Sequence, residues 1–164
     1  MTKQIRPVAD WRPSDRRHSD VQPKAQHVRP KVLVVDDEPL IRLFVTRALK
    51  ASGYDVVEAG SAERAKELLA TDGSSLSLLL SDVGLPGVSG PELVEYAHRS
   101  FPNLPTQLMS ATSKRWLVTE RVLAEDVDLL QKPFKVADLL ERLDGLMALR
   151  RDGRTANESC RAVR

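Results

Sequence analysis

The sequence predicts an open, doubly wound α/β sheet: five parallel strands alternating with five helices. Three observations carry that prediction. Short apolar, β-branched runs alternate with longer segments whose apolar residues recur at helical spacing. The strand candidates are apolar at successive positions, as parallel strands buried on both faces require. Four of the five strand candidates lead into a polar residue, and sheets of this kind place their ligands beyond the carboxyl ends of the strands.

The elements follow in order. Lys31-Val32-Leu33-Val34-Val35 is the first strand. Pro39 opens the first helix, where its missing N–H costs nothing, and Ile41, Phe44, Val45, Ala48 and Leu49 supply its apolar face before Gly53 stops it. Asp55 to Ala59 is the second strand; Ser61 caps the next helix, with Ala65, Leu68 and Leu69 facing inward. Leu76 to Leu80 reads as the third strand, ending at Ser81-Asp82. After a loop, Ser89-Gly90-Pro91-Glu92 forms a capping box for a helix carrying Leu93, Val94, Tyr96 and Ala97. Thr106 to Met109 is the fourth strand, Lys114 to Ala124 the fourth helix and Val127 to Leu130 the fifth strand. The last helix, Lys135 to Leu149, presents Val136, Leu139, Leu140, Leu143 and Leu146 on one face.

This pattern occupies residues 31–149 and leaves two ends without apolar periodicity. Residues 1–30 read as a basic, disordered arm containing Pro7, Pro13, Pro23 and Pro30, and residues 150–164 as a basic, disordered tail. The net charge of +2 divides into +5 over residues 1–31, −6 over 32–149 and +3 over 150–164. The basic ends lack interleaved aromatics, a recognition-helix pattern and a zinc site, so solvation or docking to an acidic surface is favoured over nucleic acid. A single cysteine, Cys160, excludes an internal disulfide and a zinc site of several thiolates. No apolar run approaches the roughly 20 residues of a membrane helix. No hydrophobic stretch follows the N-terminal arginines, and Asp10, Asp15 and Asp20 argue against a transit peptide. A soluble, cytoplasmic protein with no membrane contact is the expectation.

The strand ends should bring together Asp36 and Asp37, Asp82, Ser110 and Lys132. Three carboxylates in one cleft repel unless a cation joins them, and hard oxygen donors beside open solvent suit Mg²⁺. A divalent cation, an ammonium and a hydroxyl around Asp82 make a clamp for a phosphoryl group, with Asp82 as the carboxylate nucleophile.

Four motifs at these strand ends carry a family resemblance: Val-Asp-Asp-Glu-Pro (35–39), Ser-Asp-Val-Gly-Leu-Pro-Gly-Val-Ser-Gly (81–90), Met-Ser-Ala (109–111) and Leu-Leu-Gln-Lys-Pro-Phe (129–134). Residues 31–149 resemble the receiver domain of two-component response regulators, which has a flavodoxin-like fold. The resemblance implies Asp82 as phosphoacceptor and Asp36, Asp37, Asp82 and the backbone carbonyl of Gly84 as Mg²⁺ ligands. It implies that Ser110 bonds a phosphoryl oxygen and moves inward, that Lys132 pairs with the phosphoryl group, and that the Lys132–Pro133 bond is cis. The partners it implies are a histidine kinase or histidine phosphotransfer protein upstream and a protein target downstream, met on the face of Trp116, the fifth strand and the last helix; a homodimer is left open. The chain is then expected to be a stand-alone regulator or a phosphorelay member that catalyses only its own phosphorylation and dephosphorylation, without being an enzyme on an external substrate.

One position departs: three residues before the lysine the family often has Tyr or Phe, and here stands Leu129. The helix after Ser110 is therefore expected to shift with little ring motion nearby. The alternative is a pseudo-receiver that signals by binding alone. A Mg²⁺ phosphohydrolase is more distant, because Gly84 stands where its general acid would be. His98 reads as solvated, as do His18 and His27, and Trp116 as either core filler or an exposed partner anchor.

Overall fold

The computed structural model describes residues 29–151, with side chains to Arg150, so the arm and tail expected at 1–30 and 150–164 lie almost wholly outside the described residues. The elements run β1 (Lys31–Val35), α1 (Pro39–Ala51), β2 (Asp55–Ala59), α2 (Ala62–Asp72), a 3₁₀ turn (Gly73–Ser75), β3 (Leu78–Asp82), α3 (Gly90–Ser100), β4 (Thr106–Ser110), α4 (Lys114–Thr119), β5 (Leu129–Gln131) and α5 (Val136–Arg151). All five strands are parallel, in the order β2-β1-β3-β4-β5. The direction of winding reverses between β1 and β3, which opens a crevice at their carboxyl ends.

Strand alternation divides the core into two layers. Leu33, Val35, Leu79, Leu108 and Leu129 pack under α2, α3 and α4, while Val32, Val34, Leu78, Leu80, Met109 and Leu130 pack under α1 and α5. Both layers are buried, which accounts for the unbroken apolar runs in β1 and β3. The caps form as expected: Ser61 Oγ accepts from the Arg64 N–H at 3.3 Å, and Ser89 and Glu92 complete a reciprocal box. Gly53 follows α1 at φ +91°, a left-handed conformation that favours glycine.

Several local expectations are corrected, among them the fifth strand, which runs Leu129–Gln131 rather than Val127 to Leu130. The third strand begins at Leu78, not Leu76, and includes Asp82. The 3₁₀ turn and a bond from the Ser77 N–H to the Lys31 carbonyl (2.7 Å) use up residues 73–77 before the strand starts. The fourth helix stops at Thr119 instead of Ala124. Arg121 adopts φ +57°, and the Leu117 carbonyl accepts from both Val122 (2.8 Å) and Leu123 (3.2 Å), a left-handed helix end that turns Leu123 and Val127 into the core. In α1, Ile41, Val45 and Leu49 form the sheet-facing stripe; Phe44, about 100° around the helix from Val45, is turned out and exposed. Among the described residues, no helix is long and apolar enough to cross a membrane.

Candidate functional site

The carboxyl edge of the sheet gathers most of the expected constellation. Asp36, the residue after β1, is fully buried, and Asp82, the last residue of β3, is 8% exposed. Lys132 follows β5 and reaches between them, its Nζ 2.7 Å from Asp36 Oδ2 and 2.6 Å from Asp82 Oδ1. The remaining oxygens are also engaged: Asp36 Oδ1 accepts from the Glu38 N–H at 2.9 Å, and Asp82 Oδ2 from the Gly84 N–H at 2.6 Å. Burial alone would lower the Lys132 pKa, but the hydrogen bonds to Asp36 and Asp82 outweigh it and hold the value above the ordinary lysine range. Lys132 therefore stands in the cleft as an ammonium ion. The Lys132–Pro133 bond is cis.

Two predicted residues lie at the same edge without joining this group directly. Asp37 is exposed and makes no hydrogen bond or ion pair to Asp36, Lys132 or Asp82. Ser110 ends β4 and is 5% exposed, but its Oγ accepts from the Thr112 N–H at 3.0 Å rather than contacting Asp82. Its carbonyl accepts from the Lys132 N–H at 2.7 Å, so the backbones of β4 and β5 hold these two residues side by side.

Tight backbone packing fixes the acceptor strand. A Cβ on Gly90 would lie 2.0 Å from the Asp82 carbonyl oxygen, so the start of α3 can approach β3 only through glycine. Gly90 also donates its N–H to the Val83 carbonyl at 3.0 Å.

Sequence reasoning missed two participants. Arg42, on the first turn of α1, donates from Nη1 to the Asp36 carbonyl at 2.5 Å and lies 3.8 Å from Glu58. Gln131, the last residue of β5, donates from Nε2 to the carbonyls of Ala111 (2.9 Å) and Ser110 (3.2 Å). The available signal was position alone: Arg42 lies six residues after Asp36, and Gln131 immediately precedes Lys132. His98, read as solvated, is half-buried, with Nε2 3.1 Å from the Leu104 carbonyl oxygen. Trp116, for which two readings stood open, is exposed on α4.

The residues present fit Mg²⁺ by their chemistry. Asp36, Asp37 and Asp82 bring three carboxylates to one edge against a single ammonium, which a divalent cation would balance. Among the described residues no three His, Cys, Asp or Glu side chains converge into a ready-made cage. Mg²⁺ does not demand one, since it is commonly held by one or two carboxylates and keeps several waters.

Comparison with known proteins identifies the family and the fold. The sequence profile of the response regulator receiver domain matches residues 32–144. The chain is 34% identical over 111 residues to the response regulator protein FleR of Pseudomonas aeruginosa, covering 68% of this chain and 23% of that protein. It is 33% identical over 138 residues to the two-component response regulator ARR5 of Arabidopsis thaliana, covering 76% of this chain and 72% of ARR5. The high-resolution structure of the chemotaxis response regulator CheY4 of Vibrio cholerae superimposes with a TM-score of 0.62 at 27% identity, covering 72% of this chain and 98% of that one. Several of the curated relatives are longer, and the chain spans about a quarter to a half of their length.

Proposed function

The chain belongs to the response regulator receiver domain family of two-component systems, and from that premise we propose that it accepts a phosphoryl group from a phosphohistidine onto Asp82. The observation that carries the proposal is the placement of Asp82: a nearly buried carboxylate at the switch-point crevice, with one oxygen on the Lys132 ammonium and the other on the Gly84 N–H. A surface carboxylate has no use for such a setting, whereas a nucleophile in a transfer reaction governed by positioning does.

In the transfer, a carboxylate oxygen of Asp82 attacks phosphorus. The new O–P bond forms as the P–N bond to the donor imidazole breaks, and that imidazole nitrogen recovers its proton from solvent. The Lys132 ammonium can shift from the ionised carboxylate of Asp82 to a phosphoryl oxygen while remaining anchored on Asp36. Ser110, with its Oγ proton available, can donate to a second phosphoryl oxygen. Asp36, Asp37, Asp82 and the Gly84 carbonyl would hold Mg²⁺, which when bound neutralises charge between the acceptor carboxylate and the incoming phosphoryl oxygens. Hydrolysis of the acyl phosphate returns Asp82 to its starting state, and the domain acts on no external substrate.

The donor is a histidine kinase or a histidine phosphotransfer protein. The output is a protein contact on the face formed by Trp116, β5 and α5, with the cytoplasm as the setting. Incubation with acetyl phosphate and Mg²⁺, read by mass spectrometry beside Asp82→Ala, tests the central step. One added phosphoryl group that depends on Mg²⁺ and is absent from the variant is expected. If neither acetyl phosphate nor beryllofluoride with Mg²⁺ modifies or binds the protein, the reading falls in favour of a binding module that signals without phosphate.

A further inference from the structure

Gln131 is exposed at the end of β5, yet its side chain crosses to the loop between β4 and α4 and places three backbone carbonyls around one nitrogen. Nε2 lies 2.9 Å from the Ala111 oxygen, 3.2 Å from the Ser110 oxygen and 3.3 Å from its neighbour Lys132's oxygen. The shortest of these contacts matters most. The Ala111 carbonyl belongs to the same peptide group as the Thr112 N–H, and that N–H donates to Ser110 Oγ at 3.0 Å. One peptide plane is thus gripped at both ends, by the Gln131 amide on its oxygen and by the Ser110 hydroxyl on its nitrogen.

The hydroxyl is constrained as a result. With one lone pair committed to Thr112, Ser110 Oγ can turn its proton only through the remaining directions, and it donates to no group among the described residues. Ser110 is 5% exposed and its backbone is fixed by the Lys132 N–H, so the hydroxyl is a nearly buried donor held beside the cleft. We propose that Gln131 is a positioning residue: through the 111–112 peptide it sets the direction in which Ser110 offers its proton, and so governs how well Ser110 engages a phosphoryl group on Asp82. The proposal rests on the reading of Asp82 as phosphoacceptor. Gln131 itself touches no reacting atom.

The test is a double-mutant cycle on the full chain, with beryllofluoride and Mg²⁺ as the probe and calorimetry as the readout. Gln131→Ala is expected to weaken binding about three- to tenfold, the worth of one hydrogen bond. Gln131→Glu, which sets a carboxylate against three carbonyl oxygens, is expected to weaken it at least as much. In a Ser110→Ala background the Gln131→Ala change should cost nothing further, because the group it positions is gone. Protection of the Thr112 amide against hydrogen exchange should fall in Gln131→Ala while the melting temperature stays close to that of the wild type. Unchanged affinity in Gln131→Ala, or an equal loss with and without the Ser110 hydroxyl, overturns the positioning role and leaves the Asp82 reading intact. Failure of the wild-type protein to bind the probe removes both.

Discussion

Two lysine–aspartate pairs with nearly the same geometry sit at opposite ends of the sheet. At the amino edge Lys31 Nζ lies 2.8 Å from Asp72, with the two side chains 31% and 49% exposed. At the carboxyl edge Lys132 Nζ lies 2.6 Å from Asp82 and 2.7 Å from Asp36, with all three side chains at 11% exposure or less. Distance does not separate them; solvent does. The exposed pair competes with water on equal terms and gains little. The buried triad has given up hydration that its mutual attraction only partly restores, so removal of one member leaves charge stranded. A cluster of that kind contributes little to stability as a whole, but it keeps an ammonium and a carboxylate poised where an incoming anion can exchange partners with them.

Breaking the buried triad should therefore have the largest effect. Lys132→Met is expected to lower stability by about 3–5 kcal/mol, because Asp36 and Asp82 remain buried and face each other unpaired. Adding Asp82→Asn to that variant should recover part of the loss by removing one of the two charges; urea unfolding of the three proteins checks both steps. If Lys132→Met unfolds like the wild type, water reaches the cleft far more freely than the exposures indicate.

The backbone beneath Asp82 offers the next largest effect. Gly90→Ala forces a Cβ to within 2.0 Å of the Asp82 carbonyl oxygen, and neither the strand nor the first turn of α3 can yield freely. A loss of about 1–3 kcal/mol is expected, as for overpacking in a core, and thermal unfolding measures it. The comparison is sharpened by Gly145→Ala on α5, where a Cβ meets nothing within 4 Å and helix propensity favours alanine. That substitution should be neutral or stabilising.

How much of this was legible depends on what each residue answers to. Asp36, Asp82 and Lys132 could be placed because parallel strands announce themselves as apolar runs, and a polar residue closing such a run must lie at a sheet edge. The capping serines Ser61 and Ser89 were legible for a similar reason, since their partner is three residues away; Ser113, which caps α4 in the same way, was not picked out. Phe44 was misplaced because an amphipathic helix with apolar residues on more than one side leaves its phase open, and only packing against β1 and β2 selects Val45. The early end of α4 depends on Arg121 taking a left-handed conformation that arginine seldom adopts, a choice dictated by the burial of Leu123 and Val127. Gln131 carried no signal beyond its place before Lys132: its role lies in which carbonyls a flexible side chain can reach, and the nearest belongs to a loop 20 residues away in sequence.

At the amino edge the effects should be small. Lys31→Met removes the exposed pair to Asp72 and also a contact with Ser75 Oγ (3.1 Å), both beside solvent. The expected change in melting temperature is at the limit of measurement, and any difference present at low salt should vanish near 1 M NaCl, where the screening length falls to about 3 Å. A large, salt-independent loss would mean that this pair resembles the buried triad after all.

The smallest effect concerns His98, whose ring packs near the amino edge against the carbonyl of Leu104. Burial draws its pKa below the ordinary value of 6.5, partly opposed by that hydrogen bond. The unfolded chain then binds the proton more readily than the folded one. Whatever stability the neutral imidazole confers is complete above about pH 6.5 and is lost as the pH falls through that value toward the folded-state pKa. Melting temperatures of the wild type and His98→Gln, measured at pH 7.5 and pH 5.5, isolate this contribution, because glutamine keeps a donor for the Leu104 carbonyl but does not titrate. The wild type should lose more on acidification than the variant. Equal losses would show that the imidazole takes up its proton as readily in the folded protein as in water, and that the half-buried ring is as well solvated as an exposed one.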